Sequence, residues 1–186
     1  MLTTIVKYGV IAGVIVGGAT FGTAVIFQGT TLSPATGMLI GYTSMLVALS
    51  FVFMGVKHQR DTAGGGVIGF WPALGLGLSI SLVAGVFYVL AWEAALAVTA
   101  MDFAAEWSEQ TLTEARARGD SAAEIARISA EMAQFRSDYA RPVYRMLVTF
   151  SEILPIGLLV SLVSAALLRN SRFLPARAGS LPEGSS

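Results

Sequence analysis

The sequence predicts an all-α fold: four transmembrane helices with a helical hairpin inserted between helices three and four. Three observations predict it. The 186-residue chain is 54% hydrophobic and only 13% charged, with a mean hydropathy of +0.68, a balance that suits a bilayer better than water. Apolar runs of about 20 residues, enough to cross roughly 30 Å of hydrocarbon, recur along it. Between the last two runs, Met101 to Arg141 is polar and rich in helix formers. The net formal charge is zero, so no basic field points to nucleic acid. The absence of Cys excludes disulfides, thiolate catalysis and cysteine metal sites but leaves the compartment undecided.

Span one is Ile5 to Phe27, interrupted only by Lys7 and small polar residues. It is longer than the apolar core of a signal peptide and lacks a clear small-x-small cleavage site after it, which favours a retained helix. Gly9, Gly13 and Gly17 are spaced by four, as are Gly18 and Gly22, so two adjoining faces lack side chains where another helix can approach. A short uncharged connection, Gln28 to Pro34, ends in Ser33-Pro34, an N-cap followed by proline at the first helical position.

Span two runs from about Ala35 to Val56. Gly37 and Gly41 repeat the small-residue spacing, and the hydroxyls of Tyr42, Thr43 and Ser44 can bond backbone or a neighbouring helix. Packing is favoured over a ligand site here. Lys57 through Gly66 reads as a polar, flexible turn ended by three glycines. It does not match a phosphate-binding loop, and His58, the single histidine, has no partners at metal-ligand spacing.

Span three starts at Phe70-Trp71-Pro72, with Trp92 near its other interface. A helix from Phe70 to Met101 would be about 48 Å long, more than the hydrocarbon layer needs, so the sequence predicts that it emerges and continues into the insert. Asp102 to Arg118 contains neither Gly nor Pro, Gly119-Asp120 marks a turn, and Ser121 to Glu124 is a capping-box pattern that opens a second helix. Along it Ile125, Ile128, Met132, Phe135 and Tyr139 recur every three or four residues, facing Phe103, Trp107, Leu112 and Ala115 on the outgoing arm. The result is a hairpin with arms of roughly 25 Å; an arm lying on the membrane surface is the alternative. Arg141-Pro142 ends the return, and span four runs from Val143 to Leu168, with Pro155 inviting a kink next to Glu152. The single membrane domain is thus 1–168, including the 101–141 hairpin, followed by a breaker-rich flexible tail at 169–186.

Lys7, Lys57, Arg60, Arg169, Arg172 and Arg177 fall on one side of such a bundle, and Arg116, Arg118, Arg127, Arg136, Arg141 and Arg145 on the other. The counts tie, but charges near short spans carry most weight. That places both termini in the cytoplasm and the hairpin outside.

Counting residues along spans three and four sets Glu93 and Glu152 at a similar depth near the hairpin end. Arg145, Thr149 and Glu152 share one helix face, so Arg145 is expected to point toward Glu152. Ionisable groups at such depths face protein, water or opposite charge. One reading has both carboxylates bonded to Tyr88, Trp92, Arg145 or backbone, fixing helix register. A second makes them a proton or cation site. Catalysis ranks below both, because no nucleophile, metal set, cofactor motif or phosphate cradle accompanies them.

Several stretches carry a family resemblance: Gly41-Tyr42-Thr43-Ser44-Met45, Phe53 through Lys57 with Arg60-Asp61, Ser121 through Glu124, Phe150 through Leu158, and Ser161 through Ala165. Together they resemble a family of bacterial membrane proteins, the domain of unknown function (DUF) forty-one ninety-nine. The resemblance covers nearly all the chain except its tail. It implies a small multi-span protein of the bacterial envelope and brings no activity, cofactor or catalytic residue.

The function expected is non-enzymatic. The chain is read as an inner-membrane interaction or assembly protein that binds an envelope partner or a second copy through its hairpin (Phe103, Trp107, Leu112, Ile125, Ile128, Met132 and Phe135) or its glycine-rich helices. The alternative is a proton- or cation-linked transport component using Glu93 and Glu152 with Arg145 and Tyr88.

Overall fold

Six α-helices follow one another in a computed structural model that describes residues 1–28 and 34–175: α1 (Leu2–Ile26), α2 (Pro34–Thr62), α3 (Phe70–Thr99), α4 (Phe103–Ala117), α5 (Ala122–Tyr139) and α6 (Pro142–Leu168). Among the described residues there is no strand. Four helices, α1, α2 from Thr36, α3 and α6, are long and apolar enough to cross a membrane. The Ser33 cap and the tail beyond Pro175 lie outside the described residues.

The central element is α3, which lies against α1, α2 and α6. Its contacts are built from small residues. A Cβ on Gly9 would stand 2.6 Å from Cβ of Val83, and one on Gly13 2.7 Å from Cβ of Phe87, so α1 meets α3 almost backbone to side chain, as the glycine spacing predicted. The opposite face of α3 uses a reciprocal pair. Gly77 accommodates Ser161, Gly157 accommodates Ser81, and the two serine oxygens lie 3.5 Å apart. Each serine also donates to a carbonyl one turn back in its own helix, at 3.0 Å for Ser81 and 2.7 Å for Ser161, so neither hydroxyl is stranded in the apolar interior. Leu49, Val52, Val56, Leu76, Ile80 and Ile153 fill the space around these contacts. Other large apolar side chains, among them Leu39, Leu90, Leu147 and Leu159, remain exposed on the outside of the bundle. Helices apolar on all sides are expected where the surroundings are hydrocarbon.

The structure corrects four sequence expectations. Lys57 to Thr62 is the last part of α2 rather than a flexible turn. The glycines end the helix after it, with Gly65 and Gly66 at φ of 58° and 86°, a region that L side chains avoid. Nor does α3 continue into the insert. It stops at Thr99, with Ala100 left-handed at φ 51°. The Thr99 side chain bonds back to the Ala95 carbonyl at 2.7 Å, its own carbonyl is taken by the Gln28 amide at 3.0 Å, and Asp102 caps the amide of Ala105 at 3.0 Å to start α4 afresh. These bonds give partners to the Thr99 carbonyl and the Ala105 amide, two of the groups that a helix break leaves without an intrahelical bond.

The turn after α4 is a Schellman motif: Gly119, at φ 77°, donates to Arg116 and Asp120 donates to Ala115. The capping box, third, is only half formed. Ser121 accepts from the Glu124 amide at 3.2 Å, but the Glu124 carboxylate turns outward to Arg127, because a charged partner outbids a backbone amide. Fourth, of the five glycines singled out in α1, Gly18 and Gly22 have none of the described residues within 4 Å of where a Cβ would stand, and neither do Gly37 and Gly41 of α2. Pro155 is accommodated inside an otherwise continuous α6.

Candidate functional site

The end of the bundle that carries α4 and α5 gathers the polar and aromatic side chains. Glu93, on α3, is gripped by Arg145 from the first turns of α6: Nε donates to one carboxylate oxygen at 2.6 Å and Nη2 to the other at 2.5 Å. The two side chains retain only 20% and 21% of their exposure. A bidentate fork of this kind neutralises both charges and fixes both rotamers. Arg145 therefore engages Glu93, not Glu152 as its spacing suggested; the helix face it shares with Thr149 and Glu152 is real, but α3 lies within reach of its long side chain.

Glu152 has a different environment. The Tyr88 hydroxyl donates to its Oε2 at 2.7 Å, and among the described residues no cation pairs with it. Tyr88 is buried in the core while Glu152 is exposed. The two carboxylates thus belong to separate arrangements, one a closed ion pair and the other an open hydrogen bond.

Around them runs an aromatic cluster that joins α3, α4 and α5. Trp92 donates to the Tyr139 hydroxyl at 2.8 Å and meets Phe103 edge to face, with centroids 5.2 Å apart. Phe103 in turn stacks on Trp107 and touches Tyr139, which touches Phe135. The Arg145 guanidinium lies over the Tyr139 ring at 5.9 Å, within cation–π range. Burial, with the Glu152 charge adding to it, pushes the Tyr139 hydroxyl above the usual phenol range. Each ring pair stabilises by about 0.5–1.5 kcal/mol, and together with the Trp92 hydrogen bond and the Arg145 contact they tie α4 and α5 to α3 and α6.

Beneath this cluster is a cavity of about 450 Å³, within the range that small-molecule sites occupy. The aromatic residues of α4 and α5 form one wall, Tyr88 and Trp92 of α3 a second, Val148 and Glu152 of α6 a third, and Gly37, Met38, Gly41, Tyr42 and Met45 of α2 the last. Gly37 and Gly41 were read as packing glycines; here their missing side chains leave space in the cavity instead. Met38 and Tyr42 are more than half exposed, so the cavity communicates with the outside of the bundle on that side.

Of the insert residues expected to form an interaction surface, Phe103, Trp107 and Phe135 line this cavity. Ile128 is buried, and Leu112, Ile125 and Met132 are half-buried, in keeping with a seam between α4 and α5, which lie against each other. The exposed side carries charge: Arg127 bridges Glu124 and Glu131 at 2.5 Å each.

Sequence reasoning missed two groups. Tyr42 was assigned to packing, since nothing in its spacing announces a cavity. Arg60, at the other end of the bundle, was counted as a loop charge but is fully buried. It donates to Asp61 at 2.7 Å, to the Phe173 carbonyl at 2.8 Å and to the Leu174 carbonyl at 2.5 Å, holding the segment that follows α6 against α2. Only the Arg60-Asp61 pair within the family-like stretch hinted at it.

No curated protein and no solved structure matches the chain. A family model described as Protein of unknown function (DUF4199) matches residues 7–170. That span takes in all six helices from Lys7 onward, including α4, α5 and every residue of the cavity. The chain belongs to the DUF4199 family.

Proposed function

We propose that this chain is a non-enzymatic protein of the bacterial inner membrane that uses α4 and α5, as an extramembrane hairpin, to bind an envelope partner or a second copy of itself. The single observation that carries the reading is how these two helices spend their side chains. Their apolar residues turn to each other and to the aromatic cluster, which anchors them on the bundle, while the Glu124–Arg127–Glu131 array faces outward. Exposed ion pairs add little to stability, so a fixed array of alternating charge is better suited to selecting a partner. The glycine faces at Gly18 and Gly22, where none of the described residues lies within 4 Å of the position a Cβ would take, offer a second surface for pairing copies.

In this reading both termini are cytoplasmic and α4–α5 lies outside. A cysteine introduced at Asp120 tests the orientation: an impermeant thiol reagent labels it in intact cells, and labelling only after lysis rejects it. Replacing Asp102 to Asp138 by a short linker tests the function. Loss of co-purifying envelope proteins or a fall in oligomeric mass is expected, and no change in either argues against the proposal.

Proton- or cation-linked transport is the second reading, and the unpaired state of Glu152 is what favours it. Glu93 fits it poorly, since Arg145 already compensates its charge. Flux in proteoliposomes that Glu152→Gln abolishes and Glu93→Gln spares would support it.

A further inference from the structure

We infer that the cavity beneath α4 and α5 is a binding site for an amphiphilic organic cation, an ammonium or quaternary ammonium head on an apolar body, whose charge is met by Glu152. Three observations converge on this chemistry. The cavity walls present the rings of Trp92, Phe103, Trp107, Phe135 and Tyr139, whose faces attract cations and whose area accepts an apolar body. Within those walls Glu152 carries a charge that no cationic side chain among the described residues compensates: the Tyr88 hydroxyl donates to it, and the neighbouring guanidinium of Arg145 is engaged by Glu93. An anionic or fatty-acid ligand would meet this carboxylate as a like charge. Finally, Glu152 is exposed on a helix apolar enough to span a membrane, where an uncompensated carboxylate is expensive. A cationic head seated beside it relieves that cost while its apolar part fills space left open by Gly37 and Gly41.

The site does not require α4–α5 to recognise a protein, so the two proposals stand or fall separately. The same head chemistry has two sources, an aminolipid of the bilayer or a free amphiphilic cation. Tetraphenylphosphonium is a suitable probe, because its charge is permanent and its body apolar. Its binding to the purified full chain in dodecyl maltoside, above that of empty micelles, is expected to weaken at least about tenfold in Glu152→Gln. Gly41→Leu, which keeps the carboxylate but fills the cavity, is expected to weaken it comparably and carries the test if the first variant does not elute as a folded species. Neutral triphenylphosphine oxide should bind both wild type and Glu152→Gln alike. Displacement of the probe by added phosphatidylethanolamine, but not by phosphatidylglycerol, identifies the aminolipid source, and displacement by neither identifies a free cation; both uphold the site. No binding by the folded wild type, equal binding by wild type and both variants, or displacement by phosphatidylglycerol at least as strong as that by phosphatidylethanolamine would overturn it.

Discussion

Glu93 and Glu152 are both acidic residues on long apolar helices, yet they do different work. The distinction comes from where Arg145 reaches. Bound through two nitrogens to Glu93 and half-buried with it, it makes that pair a structural rivet between α3 and α6. Arg145→Ala leaves the Glu93 carboxylate largely buried without its partner. We expect a loss of about 3 kcal/mol, visible as a thermal midpoint lowered by roughly 6–12 °C in detergent. The double variant Arg145→Ala with Glu93→Ala should recover much of it, because removing both charges also removes the unpaired one. A midpoint for the single variant within a degree of wild type would show that the pair is solvated and contributes nothing. Both carboxylates and Tyr88 stood out in the sequence, since acids are rare in apolar runs. Arg145 stood out as well, but its pairing did not: it shares a helix face with Glu152, and its side chain is long enough to cross to Glu93 on α3.

At the scale of the element, identical glycine spacings have opposite meanings. Gly13 is buried against Phe87, whereas Gly18, on the adjoining face of the same helix, has open space where a Cβ would project. Leucine at position 13 must push α1 from α3 and is expected to destabilise by more than about 3 kcal/mol. Leucine at position 18 should leave the thermal midpoint of the protomer unchanged and lower the oligomeric mass if that face pairs copies. Equal midpoints for the two variants would refute the packing described for α1. The spacing of Gly9, Gly13 and Gly17 was enough to predict a close helix contact, but not which helix supplies it. Gly77–Ser81 and Gly157–Ser161 are also small residues four apart, but with serine as the second member of each pair the spacing drew no attention. The end of α3 also lay beyond sequence pattern: Val98, Thr99, Ala100 and Met101 are all compatible with helix, and Gln28, which accompanies the break by donating to the Thr99 carbonyl, is distant in the chain.

For the whole molecule, the two ends of the bundle are closed in different ways. The α4–α5 end is closed by stacked rings over a cavity; the other is closed by Arg60, whose guanidinium holds the chain leaving α6 at two successive carbonyls. Lysine can supply charge there but not three donors in one plane. Arg60→Lys is therefore expected to release the segment after Arg169, increasing its cleavage by a protease in detergent at least several-fold, while α1 to α6 stay folded. Cleavage at the wild-type rate would show that Phe173 packing alone retains it. The general role of Arg60 could not be read from its neighbours, because Lys57, His58 and Asp61 surround it with the look of a solvated turn.

Composition and periodicity by themselves determined the helical character of the described residues, with four long apolar helices and a polar pair of helices between the third and fourth of them, because hydrophobic length and helix-forming content are local properties. The starts at Phe70 and Ser121 and the turn at Gly119 were local too, being written in caps and glycine. Only the tertiary structure decided which acid Arg145 neutralises, which glycines are covered, that the aromatic residues of α4 and α5 look into a cavity, and that Arg60 is buried. Those facts depend on side chains from helices remote in sequence arriving at the same place, and a distance between helices is not encoded in the pattern of either one.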